Sequence, residues 1–394
     1  MRAVTFIFAA TIAACAVTSG DDVADSEAAS TKIKNVTKAD REKYLAQGQV
    51  WSEEEFGKLA SKDLLTGPGG KDSFPAQRVK GGGVEFPSIT CDFVEPKKEH
   101  ELGGRSPKFQ CASNGTTLKV KYGKDADSNG ELYGEVIAGR LLWALGFVVD
   151  DVYPVRVTCK NCPADPWDIY DNFKPNQGER AERVFNSAII ERKYAGPKIE
   201  QSNWPDDADS QGFGFDEVDS ARQHAPGIGA PNTQWRGFEL LAAFIKHADN
   251  KAANQRLACS PDGVQENGTC SAPILMMQDL GATFGGGAGF LGRIGGGTKA
   301  RLENWRDSPV WKNHDKCQAD LSSRFTLSDP TVDEPSRAFL ASLLEKVTDT
   351  QLTDIFLASR IVERGEEIDG KPVTIADWVA TFRAKLADLQ RPCR

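Results

Sequence analysis

The 394-residue sequence has little histidine or methionine, and it lacks the signatures of several common hydrolases. It contains four His and three Met, no G-x-S-x-G nucleophile motif and no H-E-x-x-H zinc motif, which argues against serine hydrolases and zinc proteases. Positive charge is not in excess either: 48 Lys and Arg against 56 Asp and Glu give a net charge of −8, so the sequence predicts no nucleic-acid partner. Apolar residues still make up 40% of the chain, enough for a large folded core.

Long hydrophobic runs are absent except at the N-terminus. The apolar stretch after Met1-Arg2 is too short for a stable transmembrane span and is typical of a secretory signal peptide, predicted over residues 1–14. Its end, I-A-A-C, resembles a bacterial lipobox in which Cys15 would be lipidated; the alternative is an ordinary signal cleaved after Ala14 or within residues 17–20. Both interpretations predict export, either as a periplasmic or cell-envelope lipoprotein tethered to the membrane through Cys15, or as a secreted protein.

The cysteine content agrees with export. Nine Cys are present, and setting Cys15 aside leaves eight, an even number that is typical of disulfide-bonded secreted proteins. Their spacing favours the local pairs Cys91–Cys111 and Cys259–Cys270, whereas the complete connectivity stays open.

One further pair has the spacing C-x-x-C, at Cys159 and Cys162. Pro163 stands where a c-type haem site would need His, and Pro163 with Pro166 disfavours the helix start of a thioredoxin-like site. No second ligand pair of similar spacing supports a zinc site. The sequence therefore predicts structural disulfides.

Periodicity divides the chain into a strand-rich part and a helix-rich part. Residues 15–80 are predicted to form an N-terminal tether and strap. Strands are predicted at 88–94, 109–112, 116–122, 147–157 and 184–194. Helices are predicted at 135–145, 235–247, 338–344, 352–360 and 375–389. This order predicts an α+β fold with a β-rich lobe over residues 81–195 and a mainly α-helical lobe over residues 196–394.

The residues that carry chemistry follow the apolar helix at 235–247. His247, Asp249, Lys251 and Asn254 lie within eight residues, and an apolar run ending in Asp279-Leu280-Gly281 comes 25 residues later. Phosphoryl transfer needs such a set: one Asp orients the attacking hydroxyl, an Asn and a second Asp hold Mg²⁺, and a Lys neutralises developing charge. An isolated Asp or Asn at this place would be a turn cap. The co-occurrence of all these residues favours the catalytic interpretation.

These motifs resemble those of the protein-kinase-like superfamily over about residues 85–315. Asp249 and Asn254 have the spacing of the catalytic loop H-R-D-x-x-x-x-N, and D-L-G at 279–281 stands in for D-F-G. The resemblance implies that Asp249 is the catalytic base, that Lys251 stabilises charge in the transition state, and that Asn254 and Asp279 bind the metal. It implies ATP and Mg²⁺ or Mn²⁺ as cofactors. His247 is expected to be structural.

The resemblance extends to the strand TTLKVKY and the helix EVIAGRLLWALGF. The latter is most similar to a helix of secretory-pathway and other atypical kinases, in which its Glu, here Glu135, pairs with a nucleotide-anchoring Lys. Lys119 and Lys121 lie on the same side of the strand, and we favour Lys121 as the anchor. Glu131 is the alternative partner for that Lys.

The sequence also departs from the kinase pattern. No G-x-G-x-x-G loop precedes the Lys; its substitute is the segment L-G-G-R-S-P-K-F at 102–109, in which backbone amides or Ser106 would reach the phosphates. Ala248 replaces the Arg of H-R-D, and no A-P-E string follows D-L-G. The glycine-rich span 285–297, which includes a G-x-G-x-x-G string without a βαβ setting, is predicted to be the activation segment.

The sequence leaves the phosphate acceptor open. The acceptor is a hydroxyl of a protein Ser, Thr or Tyr side chain or of a small molecule, because the shared motifs serve ATP and metal. The alternative is a non-catalytic scaffold of the same fold, a pseudokinase lipoprotein. Retention of every acidic and amide site residue argues against that alternative.

Overall fold

A computed structural model describes residues 32–69, 73–99, 101–104, 106–126, 128–204, 211–285 and 300–393. The signal peptide, Cys15 and most of the span 285–297 lie outside the described residues. The described chain is an α+β protein, as the sequence predicts. Strands dominate from residue 88 to residue 192, and helices dominate after residue 213.

The helices and strands have the following bounds. The α-helices are α1 (Lys38–Gln47), α2 (Glu53–Gly57), α3 (Glu131–Ala144), α4 (Pro166–Asp171), α5 (Phe215–His224), α6 (Asn232–Phe244), α7 (Leu302–Asp307), α8 (Glu334–Glu345), α9 (Asp349–Ser359) and α10 (Ile375–Gln390). The longer strands are β3 (Ser88–Val94), β4 (Lys108–Ser113), β5 (Thr116–Tyr122), β6 (Asp151–Pro163), β7 (Arg180–Arg192), β8 (Gln255–Cys259) and β9 (Pro273–Met277). Short two-residue or three-residue strands are β1 (Gln77–Arg78), β2 (Val84–Glu85), β10 (Trp311–Asn313), β11 (Gln318–Ala319), β12 (Glu367–Ile368) and β13 (Lys371–Pro372).

Five strands close into a barrel in the order β3-β4-β5-β7-β6, and a parallel pairing of β3 with β6 completes it. The sequence predicts the strands but not this closure. The alternation in β5 directs Leu118 and Val120 into the barrel core and Lys119 and Lys121 to the opposite face. The barrel therefore presents a charged face beside its apolar interior.

The helical part has a separate core. Trp305 stacks on Trp378 at 5.9 Å between ring centroids, and both are fully buried. Helix α3 belongs to this core although it comes from the strand-rich part of the chain, because its apolar residues pack against α9. Nearly all of α3 is buried, so the surrounding parts of the protein fix the orientation of the helix and of Glu135.

Residues 32–69 are a described part of the predicted N-terminal tether and strap. Residues 32–69 are folded onto the protein, and Tyr44, Leu45 and Val50 are buried. On one side, Arg41 binds Glu217 and the carbonyl of Gly212 in the helical part. Sequence patterns do not reveal this packing, because the buried apolar residues of the segment belong to a core built from parts of the chain that are distant in sequence.

The same segment also contacts α3 and the loop that follows it. Trp51 donates its indole N–H to the carbonyl of Leu145 at 2.8 Å, and the backbone N–H of Ser52 donates to the carbonyl of Gly146 at 3.0 Å. Gly146 has a φ of +84°, and a Cβ there would lie 2.7 Å from the carbonyl oxygen of Ser52, so the close approach requires glycine. Residues 32–69, hereafter the strap, thus join the helical part to the end of α3.

Four disulfides link the eight remaining cysteines. The predicted pairs Cys91–Cys111 and Cys259–Cys270 are confirmed, and Cys159–Cys162 is a structural disulfide at the end of β6. The fourth joins Cys317 to Cys393. This content is compatible with an extracellular protein. Among the described residues, no helix has both the length and the apolar character needed to cross a bilayer.

We expect the Cys317→Ser/Cys393→Ser variant to lose about 2–4 kcal/mol of unfolding free energy, because that disulfide closes a loop across 76 positions. Denaturant titration followed by Trp fluorescence measures the loss. The matched control is Cys159→Ser/Cys162→Ser, whose disulfide spans three positions and restrains the unfolded chain least. A loss in the control as large as that in the first variant would contradict the expectation.

Candidate active site

The hairpin of β8 and β9 brings two of the predicted metal ligands to the same end of a ladder. Gln255 pairs with Met277, so the residue before β8, Asn254, lies opposite the residue after β9, Gln278. The backbone N–H of Gln278 donates to the carbonyl of Asn254 at 3.0 Å. Asp279 follows with a φ of +51°, a conformation that Asp tolerates better than most residues. The 23 residues between Asn254 and Gln278 therefore do not separate the two predicted metal ligands, Asn254 and Asp279, in space.

Asn254 also connects to the predicted catalytic base. Its Nδ2 donates to the backbone carbonyl of Asp249 at 2.7 Å and to Oδ2 of the Asp249 carboxylate at 3.0 Å. Among the described residues, its Oδ1 accepts no side-chain or backbone hydrogen bond, which leaves free the atom that a metal ion would use. Lys251 Nζ lies 3.9 Å from Oδ2 of Asp249. The Asp249 side chain is 38% exposed and is accessible to a substrate.

Hydrogen bonds from residues 320–328 support the loop that carries Asp249. Ser323 Oγ donates to the carbonyl of Ala248, and Thr326 Oγ1 donates to the carbonyl of Asn250. The Asn250 amide is buried and exchanges hydrogen bonds with the backbone of Leu327, so it is structural. His247 is fully buried, and burial lowers its pKa to about 4. A neutral, buried imidazole fits the structural role expected for it.

Lys121 occupies the centre of a buried charge cluster. Its Nζ lies 2.8 Å from both carboxylate oxygens of Glu135 and 3.2 Å from Oδ1 of Asp279. A third carboxylate, that of Glu191 on β7, lies 3.4 Å away. Lys121 and Glu135 are each 3% exposed, whereas the Asp279 side chain is 43% exposed. The barrel, α3 and the β8–β9 hairpin thus meet at one ammonium group.

The charges of this cluster shift one another. Although burial opposes its charge, the surrounding carboxylates raise the pKa of Lys121 well above its usual value. Lys121 holds the pKa of Asp279 well below the ordinary range. Burial raises the pKa of Glu135 to about 7, against the lowering effect of Lys121. Asp279 therefore stays ionised and, unlike the buried Glu191, is partly open to solvent, as a metal ligand must be.

The other predicted residues lie near the cluster with different partners. Lys119 pairs with Glu191 at 3.1 Å, and no described contact joins it to Glu135. Glu131 begins α3, where its backbone N–H donates to Oδ1 of Asn129, and the hydrogen bonds of Lys121 go to Glu135 instead. Ser106 lies half-buried two residues before β4. Its role in phosphate binding stays a prediction.

Two buried charged residues of the site are missed by the sequence patterns. Glu191 is 6% exposed and Lys108 is 5% exposed. Each stands beside an apolar strand residue, Lys108 before Phe109 and Glu191 after Ile190, and neither belongs to a motif, so each resembles an ordinary solvated strand residue. The cross-strand pairs Lys108–Lys121 and Lys119–Glu191 place them beside the cluster, and that register is set by the barrel.

The oxygen donors of this site suit a hard divalent cation. Asp279 supplies a carboxylate oxygen and Asn254 an amide oxygen, and Mg²⁺ and Mn²⁺ prefer such ligands to nitrogen or sulfur. The donor chemistry therefore fits the metal ion that the motifs imply.

No protein-family model matches the sequence, and no curated protein matches it either. Among solved structures, the chain is similar to a proinflammatory kinase of Helicobacter pylori, CtkA. That alignment has a TM-score of 0.35 and 11% identity, and it covers 77% of this chain and 95% of the other.

Proposed function

We propose that the protein is an ATP-dependent and divalent-metal-dependent phosphotransferase with a two-lobed, protein-kinase-like fold. One observation carries the proposal: Lys121 joins Glu135 and Asp279, while the same hairpin end holds Asn254 against Asp249. A cation fixed by a helix carboxylate, beside two oxygen ligands and a partly exposed carboxylate, is the set of groups that phosphoryl transfer requires. A purely structural ion pair between Lys121 and Glu135 would not need Asn254 and Asp249 beside it.

Each residue has a role in this proposal. Lys121, oriented by Glu135, binds a phosphate oxygen of the nucleotide, and Asn254 and Asp279 hold the metal. The metal, when bound, would neutralise charge on the phosphates. Asp249 accepts the proton of the attacking hydroxyl, and Lys251 stabilises negative charge beside it. The exposure of Asp249 leaves room for an acceptor to approach.

The acceptor is a hydroxyl group, either on a protein side chain or on a small molecule. We further propose that the enzyme acts after export, in agreement with its four disulfides. Cys15 would then either carry a lipid tether or be removed with the signal peptide.

Ligand-induced stabilisation tests the nucleotide site without knowledge of the acceptor. We expect ATP with Mg²⁺ or Mn²⁺ to raise the melting temperature of the oxidised, signal-less protein, because occupancy at a hundredfold over Kd adds about 2.7 kcal/mol. The Asp279→Ala variant should lose the metal-dependent part of the shift. Adenosine with the same metal serves as the ligand control. No shift with either metal in the wild-type protein would overturn the proposal, and a shift without any phosphate transfer would favour the non-catalytic scaffold.

A further inference from the structure

Lys108 is a buried cation for which the described protein supplies no charged partner. Its Nζ has neither a hydrogen bond nor a carboxylate within salt-bridge distance among the described residues, and its recorded contact is the ring of Trp167, 5.6 Å away. Lys108 is 5% exposed. A buried ammonium without an anion is costly to folding, so its presence at this position calls for a compensating benefit.

The position of Lys108 points to the proposed nucleotide site. Lys108 on β4 is the direct cross-strand partner of Lys121 on β5, so both side chains leave the same face of the barrel. Electrostatic interactions link its charge to Lys119, Lys121, Asp279 and Glu191. Burial and the two neighbouring lysines lower the pKa of Lys108 to about 8. An anion brought to this face would be drawn to Lys108 as well as to Lys121.

A glycine turn lies against the ammonium group of Lys108. Gly103 and Gly104 both have positive φ, +55° and +66°, and lie in the segment that replaces the glycine-rich loop. A Cβ at position 104 would lie 3.0 Å from Nζ of Lys108. Any side chain there would crowd the ammonium, whereas glycine leaves that approach open.

We propose that Lys108 binds a phosphate group of the nucleoside triphosphate and, with the Gly103–Gly104 turn, takes the place of the missing glycine-rich loop. The inference rests on the proposed function, because it needs a nucleotide at the face that Lys121 shares. The phosphate is the anionic partner that Lys108 lacks among the described residues. The cost of burying an unpaired charge is thereby recovered only when nucleotide is bound.

The test compares two ligands on four forms of the oxidised, signal-less protein by titration calorimetry in the presence of Mg²⁺. The forms are wild type, Lys108→Met, Lys108→Arg and Lys160→Met, the last altering an exposed lysine of β6. We expect Lys108→Met to weaken ATP binding by about 10-fold to 100-fold, the effect of one charge-assisted hydrogen bond. Adenosine binding should be unchanged, Lys108→Arg should retain most of the affinity for ATP, and Lys160→Met should behave as wild type.

Stability provides a second readout that a structural lysine would not give. Without nucleotide, Lys108→Met should unfold at a higher denaturant concentration than wild type, because it removes a desolvated charge and keeps the side-chain length. Unchanged ATP affinity in Lys108→Met, or equal losses for ATP and adenosine, would overturn the inference and leave the proposed function standing. Absence of ATP binding in the wild-type protein would overturn both.

Discussion

The Asp249→Asn variant should transfer phosphate about 10²-fold to 10⁴-fold more slowly than the wild-type protein, the usual contribution of a positioned general base. Asparagine keeps the shape of the side chain but cannot accept the proton of the attacking hydroxyl. ATP affinity should change little, because Asp249 is not part of the buried cluster around Lys121. The rate is measured with γ-labelled ATP, either as label transferred to casein or as labelled inorganic phosphate formed when water is the acceptor.

Asp262→Asn is the matched control for this prediction. Asp262 is an exposed carboxylate in the loop between β8 and β9, the same hairpin that positions Asn254 and Asp279. We expect wild-type activity from this variant. Equal rates for Asp249→Asn and the wild-type protein would show that Asp249 does not act as the base in the chemical step.

The Lys121→Met variant should lose about 3–5 kcal/mol of unfolding free energy, because removing one partner of a buried ionic cluster leaves its other charges uncompensated. Glu135, Glu191 and Asp279 would then face one another across the space that the ammonium now fills. The variant should also lose nucleotide-dependent stabilisation. Denaturant titration with and without ATP and Mg²⁺ measures both effects.

The stability deficit of Lys121→Met should depend on pH in a defined direction. Burial already raises the pKa of Glu135 to about 7 in the folded protein, and without Lys121 that pKa rises further. A carboxyl whose folded pKa exceeds its unfolded value stabilises the folded state at low pH and loses that effect as the pH rises through the folded pKa. The deficit should therefore shrink as the pH falls towards about 7, the pH at which Glu135 of the wild-type protein also becomes protonated.

Lys119→Met is the matched control on the same strand. Lys119 pairs with Glu191 alone among the three carboxylates and its side chain is 18% exposed, so we expect a smaller loss than for Lys121→Met. A larger loss for Lys119→Met would show that Lys119, and not Lys121, is the central cation of the cluster.

Local patterns predicted individual elements well. The strand at 116–122 has the predicted bounds, since apolar residues alternate with Lys119 and Lys121 from Leu118 onwards. Helix α3 begins at Glu131, four residues before the predicted start, because Asn129 accepts the N–H of Glu131 at a position without a standard N-cap signal. The closure of the barrel could not be predicted in this way, as the parallel pairing of β3 and β6 joins residues more than sixty positions apart.

The residues of the candidate site likewise fall into those that local patterns predict and those that depend on long-range strand pairing. Asp249, Asn254 and Asp279 could be proposed from the sequence because they flank two strands of one hairpin at a recognisable spacing. Glu191 and Lys108 could not, because each looks like a solvated strand residue until the register of the barrel is known. Partners within one motif are therefore visible in the sequence, whereas partners brought in by neighbouring strands are not.

The strap has a consequence for the order in which the protein is built. Among the described residues, those of the strap are synthesised first, but two of their partners come much later: Tyr44 accepts a hydrogen bond from residue 270, and Leu59 accepts one from residue 351. Contacts over such separations form late, after the loop between them has been closed. The contacts of the strap with residues 270 and 351 can therefore form only after those residues have been synthesised, whereas its partners Leu145 and Gly146 become available earlier.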